Sequence, residues 1–235
     1  MKPYYEENGI TIYHGDCREI LPELEPVDLV LTDPPYGVAF GGKQTKHTTR
    51  DNSGYTTGDN TEIGPIVVKM ALDKCNRAIV FSGIRLMFDY PKPVDIGCVY
   101  CPSGAGVGPW GFVCHHPFLL YGKRGGVGSR PLSFQSFETS PDCGHPCPKP
   151  IGWMMRCIGF IENCGTILDP FMGSGTTLVA AKQLGRKAIS IEIEEKYCEI
   201  AVQRLAQGVL HLETPRAQNS TLPLDNQCEI VENEA

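Results

Sequence analysis

Apolar positions along the chain alternate between short continuous runs and spaced, helix-like stripes. Ile10 to Tyr13 is β-branched and apolar and ends in His14-Gly15-Asp16, which predicts a strand followed by a turn. Ile20, Leu21 and Leu24 then fall at helical spacing within Arg18 to Leu24, and Pro26 stops that helix. Val27 to Thr32 is an apolar run of the kind found in strands covered on both faces, with Asp33 just past its carboxyl end. Ile63 to Asn76 is helix-spaced through Ile66 and Met70, and Arg77 to Ser82 is again a buried-type strand. Near the end the pattern sharpens. Ile151, Met154, Met155 and Ile158 share a helical face that Gly159 closes, and Thr166 to Leu168 is a short strand. Gly173-Ser174-Gly175 is a tight turn before a helix over Thr176 to Leu184 that Gly185 caps. Lys187 to Ile191 is a strand, and Tyr197, Ile200, Ala201 and Leu205 form the stripe of a helix packed on a sheet. Strands and helices alternating with short links predict an α/β fold: a mostly parallel, doubly wound sheet.

Three stretches lack this pattern. Residues 37–60 hold five glycines with Ser and Thr and almost no apolar side chain, which predicts a mobile, functional loop. From Arg85 to about Pro148 the chain turns to Gly, Pro, Cys and aromatics, with only Phe112 to Tyr121 strand-like, so an irregular insertion is expected. After about Gly208 an acidic, Pro-containing tail is expected to be disordered.

At 235 residues, 41% hydrophobic and 20% charged, the chain is the size and composition of one soluble globular domain. No apolar run approaches the ~20 residues of a membrane span. The first ten residues carry Glu6 and Glu7 and have neither the basic end nor the apolar core of a secretory signal, so a cytoplasmic location is expected. The net charge of −6 speaks against nucleic-acid binding until its distribution is considered. Beyond His211, five acids face Arg216 alone, whereas between Arg85 and Phe137 five bases face only Asp89 and Asp95. Eleven cysteines in such a chain suggest reduced thiols. Cys98, Cys101, Cys143 and Cys147 are spaced so that they could close a zinc site, but buried free thiols are the preferred reading and no metal is expected.

Two motifs carry chemistry. In Asp169-Pro170-Phe171-Met172-Gly173-Ser174-Gly175-Thr176-Thr177, the glycines let the backbone pass close to a ligand at a strand-to-helix junction. No Gly-Lys-Ser/Thr follows, which excludes a P-loop. Glu192, at the end of the next strand, can accept hydrogen bonds from both hydroxyls of a ribose, so the pair reads as a site for a nucleoside-containing cofactor without a pyrophosphate. The second motif is Asp33-Pro34-Pro35-Tyr36, also at the carboxyl end of a strand. Asp33 and the Pro34 carbonyl can accept both hydrogens of a planar exocyclic amine while Tyr36 offers a stacking face. Such acceptors aim the nitrogen lone pair and stabilise the positive charge that grows on it during attack.

Together these motifs resemble the S-adenosylmethionine-dependent DNA amino-methyltransferases, which methylate adenine N6 or cytosine N4. The catalytic tetrapeptide precedes the cofactor loop, as in the circularly permuted β group. Gly15-Asp16 with Val27 to Tyr36, the His145 to Pro150 block, and Ser190 through Tyr197 with Arg204-Leu205 are similar to further family blocks. A loose likeness spans His116 to Lys123; Ser190 departs from a usual glycine, and Cys147 and Pro148 fill variable places. The resemblance implies a Rossmann-like methyltransferase fold. Residues 1–84 would be its catalytic part, 85–144 a target-recognition insertion, 145–208 the cofactor-binding part and 209–235 the tail. It also implies that Phe171, Gly173, Gly175 and Thr176 line S-adenosylmethionine, that Asp169 meets its amino group and that Glu192 holds the ribose. Asp16 would lie near the adenine and Lys149 near the carboxylate end.

The target base would be flipped from double-stranded DNA into a pocket beside Tyr36. Lys43, Lys46 and Arg50 in the loop, with Lys123, Arg124 and Arg130 beside Trp110 and Phe112, would contact DNA. Asp in the first place of the tetrapeptide favours adenine over cytosine. RNA and protein-glutamine methylases place the motif after the cofactor loop, and a non-catalytic DNA-binding homologue would need neither motif intact. The family leaves open a homodimer, a cognate restriction nuclease and the recognition sequence.

Overall fold

The computed structural model describes residues 1–35, 63–102, 107–108, 111–112, 114–122, 131–145 and 148–207. The first third contains β1 (Tyr5–Glu7), β2 (Ile10–His14), α1 (Cys17–Ile20) and β3 (Leu29–Thr32), then α2 (Ile63–Leu72) and β4 (Arg77–Phe81). Next come α3 (Gly83–Leu86), β5 (Asp95–Tyr100), β6 (Val107–Gly108), β7 (Gly111–Phe112), β8 (His115–Gly122) and β9 (Phe134–Gln135). The chain continues through α4 (Ile151–Ile158), β10 (Thr166–Asp169), α5 (Thr176–Gln183), β11 (Lys187–Glu192) and α6 (Glu195–Ala206).

Nine strands form one sheet in the order β1-β2-β11-β10-β3-β4-β8-β5-β9, and β6 pairs with β7 separately. The centre, β2-β11-β10-β3-β4, is wholly parallel, whereas β1 and β8 join it antiparallel. Side chains on these strands alternate between two cores. Leu29, Leu31, Ile79, Phe81, Phe118 and Ile167 pack with Trp153 and Met154 of α4, Leu178 of α5 and Ala201 of α6. Val30, Ala78, Val80, Leu119, Leu168 and Ile191 face the other way, against Ile20 of α1 and Val67, Val68 and Ala71 of α2. Burial on both faces is why the β3 and β4 sequences are apolar without alternation.

The winding reverses in the middle of the sheet. β3 leads through α2 to β4 on one side, while β10 leads through α5 to β11 on the other. In an open α/β sheet the carboxyl ends of two such strands splay their loops apart and leave a crevice, which is where ligands bind. That crevice lies between the ends of β3 and β10.

The expected irregular insertion is corrected in part: β5, β8 and β9 belong to the main sheet. The β5 signal was masked by Gly97, which packs where a methyl group would lie 2.1 Å from the Phe118 ring, and by Ile96, which points outward and is 48% exposed. The hairpin β1–β2 was also missed, although Asn8 (φ 51°) and Gly9 (φ 80°) supply its tight turn. The loop 37–60 and the tail 209–235 lie outside the described residues. Among the described residues, no helix is long and apolar enough to cross a membrane, and no three metal-ligating side chains cluster. Cys98 points its thiol at the Val99 carbonyl and Cys147 lies outside the described residues, so the zinc arrangement gains no support.

Candidate active site

Asp33 and Asp169 come from chain segments more than a hundred residues apart, yet β3 and β10 are paired neighbours. Their ends are tied directly, because the buried Thr32 hydroxyl donates to Asp169 Oδ1 at 2.7 Å. Phe171 N–H donates to the same oxygen at 3.1 Å, which folds the chain back over the strand end. Burial pushes the Asp169 carboxyl up to about 6, with the Thr177 and Thr32 hydroxyls opposing that shift and the Asp33 charge adding to it. Asp33 is also pushed up by burial, and the ammonium of Lys149, paired with its Oδ2, pulls the other way.

The glycine turn is built for a close approach. Gly173 and Gly175 have φ of 54° and 79°, in the left-handed region, and Gly175 caps the start of α5. A methyl group on Gly173 would sit 3.0 Å from His145 Nε2. His145 packs edge-on against Tyr197 of α6 at 4.8 Å between ring centroids. Its imidazole is lowered to about 4, first by burial and then by the Lys149, Arg204 and Lys196 charges. Beneath the turn, Arg204 Nη1 donates to the Ser174 carbonyl (2.6 Å), Ser174 Oγ (2.9 Å) and Thr176 Oγ1 (3.2 Å). Arg204 thus pins the turn to α6.

On the far side of the turn, Glu192 accepts from Gly173 N–H at 2.8 Å and from Glu194 N–H at 2.9 Å. Burial raises its carboxyl to about 7 despite these donors. Gly15 N–H donates to the Glu192 carbonyl at 2.9 Å, which brings Asp16 to the same edge. Asp16 caps α1 and pairs with Arg18, whose hydrogen bond lowers its carboxyl.

The crevice therefore gathers Asp16, Asp33, Pro34, Lys149, Asp169, Phe171, Gly173, Gly175, Thr176 and Glu192 around the carboxyl edge. Tyr36, Lys43, Lys46, Arg50, Lys123, Arg124 and Arg130 lie outside the described residues. Two neighbours, Thr32 and Tyr90, went unnoticed in the sequence, and Arg204 was marked only as part of a family block, with no role. Thr32 gave no signal beyond its place in a strand. Tyr90 approaches Pro34 across Gly64, where a methyl group would meet the Tyr90 hydroxyl at 2.7 Å and Pro34 Cβ at 3.2 Å. That hydroxyl is buried without a hydrogen-bond partner, and burial together with the Asp33 charge raises its pKa.

The donor set suits a nucleoside cofactor. The Glu192 carboxylate keeps acceptor capacity for ribose hydroxyls beyond the N–H bonds it receives. Arg204, the cation at the glycine turn, is committed beneath the backbone and does not build a phosphate cradle there. A doubly wound sheet with a glycine cradle and an Asp-Pro-Pro edge at its switch point is the arrangement of a Rossmann-like methyltransferase.

Comparison with known proteins narrows this further. The family model described as "DNA methylase", for N6/N4 methyltransferases, matches residues 128–203. YubD of Escherichia coli (strain K12), named as a methylase, is 32% identical over 212 residues, covering 82% of this chain and 88% of that one. The type II methyltransferase M2.LlaDCHI of Lactococcus lactis subsp. cremoris is 25% identical, covering 89% and 94%. In structure, the M1.HpyAVI–SAM complex superposes with a TM-score of 0.61 at 22% identity over 84% of this chain and 99% of that one. The cytosine-N4-specific PvuII DNA methyltransferase gives 0.62 at 17% identity over 89% and 90%. The chain belongs to the S-adenosylmethionine-dependent DNA amino-methyltransferases of the N6/N4 family.

Proposed function

We propose that the protein transfers a methyl group from S-adenosylmethionine to the N6 amine of an adenine flipped out of double-stranded DNA at a specific sequence. The observation that supports this most is the junction of Asp33 with the Asp169–Gly175 cradle at one switch point, an amine-binding edge beside a cofactor site. Bound there, the cofactor supplies an electrophilic methyl on a cationic sulfur. Gly173 and Gly175 let the backbone close on it, Glu192 accepts from its ribose, and Asp169 and Asp16 hold its amino and adenine ends. Asp33 and the Pro34 carbonyl accept from the two amine hydrogens and turn the nitrogen lone pair toward the methyl group. S-adenosylmethionine would supply the methyl carbon and leave as the neutral thioether S-adenosylhomocysteine; the Asp33 carboxylate is placed to stabilise the positive charge that would grow on the amine nitrogen, which would then pass one proton to water.

Asp33 at the head of the tetrapeptide favours adenine; cytosine N4 is the alternative, as in the N4-specific relative of the same fold. The names of the type II relatives support a restriction-modification role, and a cognate nuclease is the partner proposed with it. Lys43, Lys46, Arg50, Lys123, Arg124 and Arg130 are the proposed phosphate and base contacts, and residues 85–144 the proposed target-recognition region. Incubating the chain with labelled S-adenosylmethionine and unmethylated DNA should yield N6-methyladenine by mass analysis of the nucleosides. N4-methylcytosine would replace the base assignment, and label in neither base would reject the function.

Glu192 makes cofactor binding pH-dependent. Its folded pKa of about 7 lies above the ordinary 4.5, so ionising it opposes folding, fully so above about pH 7 and not at all well below 4.5. Ribose hydroxyls are donors and favour the ionised form. Affinity for S-adenosylmethionine should therefore rise about tenfold between about pH 6 and about pH 8, as the carboxylate fraction grows. Calorimetric titrations of the wild type and Glu192→Gln at both pH values check this, since the variant should bind more weakly and lose that rise.

A further inference from the structure

Lys149 is a buried cation, 8% exposed, delivered by the irregular segment just before α4. Its ammonium pairs with Asp33 Oδ2 and lies 5.9 Å from the centroid of the Phe81 ring on β4. The groups around this pair come from several elements. His116 on β8 and His145 near the glycine turn are both lowered to about 4, by burial first and by the Lys149 charge second, so they are neutral at pH 7. Asp169 on β10 and the Tyr90 hydroxyl face Asp33 and feel its charge. Asp33 thus sits where burial favours its neutral acid form, and Lys149 opposes that. A neutral acid would be a poor acceptor for an amine that becomes cationic.

We infer that Lys149 is a positioning residue of the methyl-transfer reaction, holding Asp33 ionised and its carboxylate oriented toward the target amine. This rests on the role proposed for Asp33 and differs from the part that the family resemblance implies for Lys149, at the carboxylate end of the cofactor. The two roles separate cleanly. A lysine serving the cofactor sets affinity for S-adenosylmethionine, whereas a lysine serving Asp33 sets the pH at which the turnover rate falls.

The experiment uses the full chain with saturating cofactor and duplex DNA. In Lys149→Met the acid limb of the kcat–pH profile should move up by at least about one unit, with about a tenfold loss of rate below it for each unit moved. Lys149→Arg, which keeps the cation, should restore much of the profile, and S-adenosylmethionine affinity should stay near wild type in both. An unmoved acid limb, or a large loss of cofactor affinity with an unmoved limb, overturns the inference. Carbon-13 NMR of the aspartate carboxyls, without cofactor or DNA, reads the same pair directly, with Asp33 assigned from Asp33→Asn. Its pKa should rise in Lys149→Met, and an unchanged value overturns the inference even if the chain methylates nothing. If Lys149→Met is too unstable to assay, Asp33→Asn/Lys149→Met should melt above it, because the buried carboxylate that lost its ion pair is gone; a melting temperature that does not recover counts against the pair. Wild-type protein that methylates no DNA would instead reject the proposed function, with the NMR result still deciding the pair.

Discussion

Asp33→Ala is expected to lower methyl transfer to DNA by about 10³-fold while leaving affinity for S-adenosylmethionine near that of the wild type. The loss follows from the geometry of the edge: Asp33 directly follows β3 and lies beside the cofactor cradle without being part of it. Removing its carboxylate takes away the acceptor that meets the growing charge on the amine, and it leaves the glycine turn, Glu192 and Arg204 in place. A second effect accompanies the first. Lys149 loses this ion pair while still largely buried, and breaking a buried pair on one side costs about 3 kcal/mol or more. Asp33→Asn keeps the volume and one acceptor oxygen, and helps separate lost chemistry from lost stability. Transfer of labelled methyl groups, read with calorimetric cofactor binding and thermal melts, checks all three. Strong residual transfer in Asp33→Ala would discard the role.

Gly175→Val should be the most damaging single change to the cradle. Gly175 holds φ of 79° at the start of α5, and a Cβ there would lie 2.7 Å from Ala201 Cβ and 3.3 Å from Ala201 Cα on α6. Strain in the left-handed region and overpacking between two helices together cost about 2–5 kcal/mol. Cofactor binding should be lost even where the protein remains folded, because the helix start would have to shift. Gly185→Ala is the contrast. Gly185 has φ of 64° but nothing within 4 Å of its Cβ position, so only about 1 kcal/mol of strain is expected, with cofactor binding intact. Urea melts of both variants test the difference. Equal destabilisation would mean that contact with Ala201 contributes nothing.

The centre of the fold was legible because burial on both faces writes itself into sequence. Leu29-Val30-Leu31 and Ala78-Ile79-Val80 are fully covered and correspondingly apolar. The motif ends were legible for another reason: turns that need glycine or proline show them, as at Pro34-Pro35 and Gly173-Ser174-Gly175. What stayed hidden was pairing between distant segments. Nothing local in Asp33 or Lys149 announces an ion pair across 116 residues of separation. Thr32 and Arg204 likewise act through partners on other elements. β5 escaped because its inward positions are small where Phe118 is large, so packing there is shared between strands and no single run is apolar.

The neighbouring placement of β3 and β10 also constrains when the protein can work during its own manufacture. A ribosome that has released residues up to about 160 has delivered Asp33 and β4 but neither β10, the other neighbour of β3, nor the turn that would hold a methyl donor. Until β10 emerges one edge of β3 lacks its neighbour, and until α6 follows Arg204 cannot lock the turn. Unfinished chains therefore lack an assembled methyl-transfer site.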